Sequence, residues 1–308
     1  MENFKKTLII ANPTAQSGAG EAAARQAEKL IRKAAGEGPD VVRTRHAGHG
    51  TELAARMGAS YDLVIALGGD GIIHEVVNGL MRLLREDRPM LGIIPVGSGN
   101  DYAKTLHMSE KVDQAIAQIL AGKAVAADLG CCNGECFTET ISFGLDAAIA
   151  LGTVERRKKT GGHGTMLYLQ EGIDQLFRHL NTYDFKLEIL EGPDEDLGVH
   201  EGKGILLAVQ NGITYGGGFA VCPEASIQDG MLDICIARGP LNPLYATKIF
   251  LSAKNGHHVG AKPIEMHRAS RLRLEFDRRP PCQIDGEPHI ADAYEICVEP
   301  AALRVIVG

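Results

Sequence analysis

Two patterns of apolar and polar positions divide the chain. Up to about residue 125, continuous apolar runs alternate with stretches whose apolar residues recur every three or four positions. Thr7-Leu8-Ile9-Ile10-Ala11 predicts a buried strand, and Ala27, Leu30, Ile31 and Ala34 predict the helix after it. A weaker strand follows at Asp40 to Thr44, a short helix at Thr51 to Met57, and a strong buried strand at Asp62 to Leu67. Ile72, Ile73, Val76, Val77, Leu80, Leu83 and Leu84 mark one helix face. Leu91 to Val96 reads as the next strand, and Val112, Ile116, Ile119 and Leu120 stripe another helix. Strand and helix in alternation predict βαβ units on a mostly parallel sheet.

Beyond about residue 128 the pattern shortens to alternating segments separated by turn residues. Lys186 to Leu190, Ile205 to Val209, Leu232 to Ala237, Leu272 to Phe276, Glu295 to Val298 and Leu303 to Val307 read as strands. Helical spacing interrupts them at Met166 to Leu180 and Pro243 to Ala253. The expected organisation is an α/β domain over residues 1–128 and a β domain over 129–308, the last strand being free to return to the first domain.

Composition narrows the class. A chain of 308 residues buries enough surface to fold without a disulfide or metal staple. With 32 basic against 39 acidic residues the net charge is −7, which lacks the basic surplus of a nucleic-acid protein. The seven cysteines, Cys131, Cys132, Cys136, Cys222, Cys235, Cys282 and Cys297, read as reduced thiols, mostly in buried strands. The N-terminal apolar run is too short for a signal peptide, and no run approaches the length of a spanning helix. The expectation is a cytoplasmic protein whose membrane contact, if any, is peripheral at the inner surface.

Candidate chemistry sits where the predicted strands end. Gly68-Gly69-Asp70-Gly71 falls between a strand and a helix, the geometry in which main-chain amides and a helix N-terminus meet an anion. Asp70 repels a phosphate, so it points to a bound cation, Mg²⁺ in nucleotide sites, or to a donor that it orients. A helix-capping Asp in a tight turn is the plainer alternative. Pro95 to Asp101 and Asn12 to Gly20 are two further small-residue loops after strands. In a parallel sheet all of them open on the edge where such sheets bind ligands, and together they predict a nucleotide-phosphate site. Gly18 to Ala23 fits G-x-G-x-x-A, but six residues separate it from its strand, against the dinucleotide fingerprint. No P-loop motif occurs. In the second half, Asp285-Gly286-Glu287 after Cys282 to Ile284 offers a candidate general base or a solvated hairpin tip. Ser226 to Asp233 offers a hard-cation turn or an ordinary β-turn. His46, His49, His257 and His258 show no metal arrangement and read as surface or loop residues.

Taken in order, Asn12-Pro13, Gly68 to Gly71 with Glu75 and Asn78-Gly79, Pro95 to Asp101, Asp229-Gly230-x-Leu232-Asp233 and Asp285-Gly286-Glu287 resemble the diacylglycerol kinase catalytic-domain family, which includes bacterial soluble lipid kinases and the sphingosine and ceramide kinases. The resemblance spans nearly the whole chain. It implies an ATP- and Mg²⁺-dependent lipid kinase, most simply a diacylglycerol kinase making a phosphatidic-acid-type product. The implied fold is a doubly wound α/β domain of the NAD-kinase and phosphofructokinase type, followed by a β-sandwich domain, with the active site in the cleft between them. Residue by residue it assigns nucleotide contacts to Asn12, Pro13, Thr14, Ala15, Gln16, Thr44, Gly69, Asp70, Gly71, Ile72, Ile73, His74, Glu75 and Ser98. It assigns a structural Mg²⁺ to Ser226, Asp229 and Met231, with Asp101 and Asp128 as linked acids, and the catalytic roles to Glu287 and Asp70. One departure is Ile72, where the family usually has Thr, so a hydroxyl donor to phosphate is lost. His74 likewise replaces a smaller polar residue.

Two rival functions stay open on the sequence. An NAD kinase shares the Gly-Gly-Asp-Gly turn, but its expected Gly-Ser-Thr-Ala-Tyr type segment has no counterpart here. A non-catalytic lipid- or nucleotide-binding regulator is opposed by Asp70 and Glu287 and favoured by Ile72. For a lipid substrate, the basic run Arg156-Arg157-Lys158-Lys159 is the expected contact with anionic headgroups, with a solvated loop as the alternative. The sheet edges of the β domain would allow a homodimer, and nothing in the residues demands one.

Overall fold

The computed structural model describes residues 4–160 and 165–308, and the side chains of Arg157, Lys158 and Lys159 lie outside the described residues. The chain divides into two units, one ending at Asp128 and rejoined by Pro300–Gly308, the other Leu129–Glu299.

The first unit runs β1 (Thr7–Ala11), α1 (Ala15–Ala35), β2 (Asp40–Arg43), α2 (His49–Met57), β3 (Leu63–Gly68), α3 (Asp70–Leu80), β4 (Met90–Pro95), α4 (Asp101–Thr105) and α5 (Val112–Ala121). The strands pair in parallel in the order β4-β3-β1-β2, with Ile9 opposite both Ile65 and Val41. β3 and β4 are buried along their whole length, which is why they read as unbroken apolar runs. The predicted α3 face is buried at Ile72, Ile73, Val76, Val77 and Leu80. The helix stops at Leu80, short of the expected Leu84, because Arg82 and Leu83 bond to carbonyls only three residues back and the chain turns out. Glu21 on α1 grips Arg43 on β2 at 2.7 Å, and Arg43, then Arg25, hold its carboxyl down at about 2.

The returning C-terminal segment is fixed by polar contacts to its backbone. Arg85 donates to the carbonyls of Pro300 and Ala301, and Arg88 to that of Ala302. Asp128 accepts the Ala301 amide at 2.7 Å, so the acid expected near a metal has a main-chain partner in its own unit.

The second unit contains β5 (Ala124–Cys132, begun in the first unit), β6 (Glu135–Phe137), β7 (Thr140–Gly144), α6 (Leu145–Thr160), α7 (Thr165–Arg178), β8 (Tyr183–Glu191), β9 (Gly198–Gln210), β10 (Leu232–Arg238), α8 (Pro243–Ala253), β11 (Ile264–Ala269), β12 (Arg271–Phe276), β13 (Cys282–Ile284), β14 (Glu287–Pro288) and β15 (Ala293–Ile306). Its strands pair antiparallel in the order β14-β13-β7-β9-β8-β12-β15, while β10 lies on the other edge of β9 and carries β11. One core gathers Phe143, Leu187, Val209, Ile234, Leu274 and Ile296. A second packs Ile149, Tyr168, Leu176 and Ala246 from the helices against Ala208, Cys235 and Ala237 of β9 and β10. The strands expected at 295–298 and 303–307 are one continuous β15. β7 and α6 had no counterpart in the pattern: β7 alternates polar and apolar residues over only five positions, and it is buried throughout, its Thr and Ser included.

Two expectations are corrected. Cys131 and Cys136 are joined by a disulfide rather than held as thiols, because the β5–β6 hairpin sets them directly opposite with Cα atoms 3.9 Å apart. His258 is buried, with Nε2 3.0 Å from the Val221 carbonyl, so it belongs to the interior and not to the surface.

Asp146, at the start of α6, is buried against the Tyr215 hydroxyl, and burial pushes its carboxyl up to about 6. Between pH about 4 and 6 the folded state holds a proton that the unfolded chain has released, so stability falls as pH rises through that window, by up to about 3 kcal/mol. Asp146→Asn removes the penalty. Thermal melts of both proteins from pH 4 to pH 8 should show the variant gaining at neutral pH and losing that advantage near pH 4.

Candidate functional site: a glycine-loop cradle

The loops after β1, β2, β3 and β4 all leave the same edge of the parallel sheet. Main-chain bonds hold them in register: Asn12 N donates to Leu67 O at 2.9 Å, Thr44 N to Ala11 O at 2.9 Å, and Val96 N to Gly68 O at 2.7 Å. After β1, Gln16, Ser17 and Gly18 take left-handed backbone angles, so regular α1 starts only beyond them. Gln16 Nε2 then donates to Gly97 O at 2.5 Å, linking the loop after β1 to the loop after β4. Asn12 Oδ1 accepts from both the amide and the hydroxyl of Thr14, at 3.0 and 2.8 Å.

Asp70 ties the two glycine turns together. Its Oδ2 accepts the Asn100 amide at 2.9 Å and its Oδ1 the Asp101 amide at 2.8 Å. The acid therefore orients main-chain donors, and the N-cap of α3 is Gly69 rather than Asp70. The turns meet main chain to main chain: a β-carbon on Gly97 would lie 2.5 Å from Gly69 Cα, and one on Gly99 2.6 Å from Asp70 Oδ2. Asn100 stands in the left-handed region and closes its own turn, Oδ1 accepting from Gly97 N at 2.8 Å. Lys104 reaches back to Gly99 O at 2.5 Å. Gly69 is the N-cap of α3 and has no side chain to occupy the first helical amides, which suits an anion there.

Other expected nucleotide contacts have local duties. Glu75 accepts the amides of Gly48 and Gly50 at 2.8 and 2.7 Å, so its carboxylate clamps the start of α2. Ile72 is buried, and its side chain fills a slot where β-carbons on Gly50 or Gly68 would meet it at 2.6 Å. Ile73 and His74 are buried on α3, whereas Ser98 is half-buried in the loop after β4. Pro13 and Thr14 lie in the turn after β1, and Ala15 opens α1. The sequence placed Asn100 in a candidate loop without a role of its own, and gave none to Lys104 or Gly50.

In the second unit, Asp285 and Glu287 behave differently. Asp285, at φ 46°, accepts the amides of Thr138, Glu139 and Thr140 at 2.8, 3.0 and 3.1 Å. That commitment removes it as a base and anchors the hairpin on which Glu287 opens β14, exposed. At the expected Mg²⁺ site, Asp229 Oδ1 accepts the Met231 amide at 3.1 Å and Oδ2 is held by the Arg268 guanidinium. Arg268 Nε also faces Asp233 Oδ1 at 3.6 Å, and burial raises the Asp233 carboxyl to about 6 against that pull. Ser226 Oγ accepts from Gln228 N at 3.3 Å. A guanidinium thus stands where a metal would draw on Asp229, and the side chains as placed do not fit an octahedral oxygen shell. Of the basic run, Arg156 pairs with Glu171 at 2.7 Å and Asp174 at 3.7 Å. Among the described residues no helix is long and apolar enough to cross a membrane.

Comparison with known proteins agrees with this architecture. Residues 6–132 match the model of the diacylglycerol kinase catalytic domain, and residues 139–307 that of the YegS C-terminal NAD kinase beta sandwich-like domain. A protein of Chromohalobacter salexigens named probable lipid kinase YegS-like is 31% identical over 84% of this chain and 81% of its own. A diacylglycerol kinase of Bacillus subtilis is 29% identical over 92% of this chain and 90% of its own. The crystal structure of a diacylglycerol kinase from Bacillus anthracis superposes with a TM-score of 0.82 over 100% of this chain and 99% of that one. Its identity of 24% makes that likeness one of fold alone. With both halves matched in order and a relative above 30% identity along most of its length, the chain belongs to the family of diacylglycerol kinase-like lipid kinases.

Proposed function

We propose that this chain transfers the γ-phosphoryl group of ATP, in the presence of Mg²⁺, to the hydroxyl of diacylglycerol or a related glycerolipid, giving a phosphatidic-acid-type product. The observation that carries the reading is the pair of glycine turns pinned to one another through Asp70. Phosphoryl transfer needs positioning and charge neutralisation more than covalent chemistry. The turns at Gly69–Gly71 and Gly97–Gly99 give phosphate oxygens close access to main chain, with Asn12 to Gln16, Thr44 and Ser98 on the neighbouring loops. Mg²⁺ on the nucleotide would screen charge on the phosphates as it is transferred. Asp70 and Glu75 hold the loops that form the cradle. Glu287 takes the acceptor hydroxyl's proton. It is the exposed acid beside an Asp285 already spent on three amides.

Lipid has to be met at a surface. On α7, Met166, Ile173 and Phe177 are exposed at seven- and four-residue spacing, one apolar face. On α8, Leu244 and Leu251 are exposed seven residues apart, and Gly172 of α7 lies against the Phe250 ring of α8. This exposed apolar face, with Arg157, Lys158 and Lys159 near its start in sequence, supports peripheral contact with an anionic bilayer at the cytoplasmic side.

Labelled ATP and Mg²⁺ with diacylglycerol, phosphatidylglycerol, sphingosine and NAD as separate acceptors tests the function. Label should enter a glycerolipid. Label in NAD alone, or in nothing, removes the reading. In that assay Glu287→Gln should keep ATP affinity and lose at least about a hundredfold in turnover; near-full turnover would exclude Glu287 as the base. Asp70→Ala strands two amides at a cost of about 1–3 kcal/mol and should lower both nucleotide affinity and turnover, which separates it from the Glu287 variant. Finally, Ile173→Glu with Phe177→Glu should weaken sedimentation with anionic vesicles at least about tenfold while turnover of a water-soluble short-chain acceptor stays unchanged. Equal sedimentation would discard this face as the contact.

A further inference from the structure

The turn between β2 and α2 carries side chains that the kinase reading does not use. His46, His49 and Glu52 each present a ligand atom, and the three atoms lie within 4.8 Å of one another. The two imidazoles stack with centroids 4.8 Å apart and planes 23° from parallel. Two imidazole nitrogens and a carboxylate form the donor set of Zn²⁺ and its late first-row neighbours. A hard cation such as Mg²⁺ prefers an all-oxygen shell and competes poorly for it.

The local backbone fixes the segment that carries this group. Gly48 and Gly50 flank His49, and their amides are both clamped by Glu75 of α3, at 2.8 and 2.7 Å. Thr51 adds a hydroxyl bond to the Glu75 carbonyl at 2.9 Å, so the segment that leads into Glu52 is fixed on both sides. His49 and Glu52 stand three residues apart on α2 and therefore share a helix face. His46 Nδ1 lies 3.0 Å from the Ala47 carbonyl, which can only accept. The proton is therefore on Nδ1 and the lone pair on Nε2, the tautomer that a ligating histidine adopts when its other nitrogen is held by a carbonyl. His49 Nδ1 accepts the Arg45 amide at 3.1 Å, an exposed bond that water takes over when the ring turns to an ion.

We propose that His46, His49 and Glu52 form a binding site for a divalent late first-row transition ion of the Zn²⁺ type. Three ligands come from the protein, and the remaining position is open to water or an anionic oxygen. None of the three is assigned a nucleotide contact, although Glu75 clamps the glycines on either side of His49, so metal binding itself and not activity decides the site.

The test uses the full-length chain without an affinity tag, in excess Mg²⁺. Co²⁺ serves as the optical probe and Zn²⁺ is titrated by calorimetry. The expected result is a tetrahedral-type Co²⁺ absorption that Zn²⁺ abolishes, with one Zn²⁺ bound per chain. His46→Gln with His49→Gln should remove the Co²⁺ band and weaken Zn²⁺ at least about tenfold, since even outer partners of metal ligands are worth that much. Glu52→Gln should weaken Zn²⁺ by a smaller factor. Metal-free melting curves of the variants should match the parent, because these side chains sit at the surface. Failure of the parent to bind Zn²⁺ overturns the proposal. Binding retained in the double variant places the ion elsewhere, on other histidines or the free cysteines, and overturns it equally. Loss of lipid phosphorylation in any of these proteins has no bearing on the outcome.

Discussion

The cradle depends on one carboxylate. Asp70 accepts two main-chain amides from the neighbouring loop, at 2.9 and 2.8 Å, and so converts two flexible glycine turns into a single rigid pair. Glycine-rich chain loses the most conformational freedom on ordering. Such a loop stays open to a ligand only if something other than its own side chains fixes it. A charged acceptor does this well, since charge-assisted hydrogen bonds are about twice as strong as neutral ones. The carboxylate keeps its charge, and the two amide dipoles aimed at it offset part of its field. Gly97 and Gly99 are then required by space: the turns are too close for β-carbons.

The device recurs through the molecule. Glu75 holds the amides of Gly48 and Gly50, Asp128 that of Ala301, Asp285 those of residues 138–140, and Asp62 those of Lys5 and Lys6. Each acid closes a place where the chain turns and its backbone donors have no ladder partner. With Asp70, five of the 39 acids act in this way; each keeps its charge and uses it to hold backbone within its own unit.

What could be read in advance follows from the same distinction. β1, β3, α3 and α8 were legible because burial writes itself into runs and 3/4 spacing. β7 was not, since Thr-Ile-Ser-Phe-Gly is a short alternation whose hydroxyl face announces solvent, while the strand is buried on both faces. The site loops were legible as glycines after strands. Their wiring was not: that Asp70 reaches Asn100, or Asp285 reaches Thr138, depends on contacts 30 and 147 residues apart. The Cys131–Cys136 bond escaped for a related reason, as the register of one short hairpin brings the two sulfurs together. Arg268 escaped because nothing in the turn at 226–233 announces a guanidinium arriving from the next strand.

Ile72 shows how a departure from the family pattern is absorbed. A threonine there would offer one hydroxyl, and a single hydrogen bond is worth about 0.5–1.5 kcal/mol net. Isoleucine keeps the β-branch and adds apolar volume, and the structure uses it: the side chain is 4% exposed and occupies the space beside Gly50 and Gly68. That packing joins α3 to the start of α2, the segment Glu75 also clamps. At this position the side chain serves the packing of the loops, and the backbone amides of Gly69 to Gly71 are the same whatever side chain follows them.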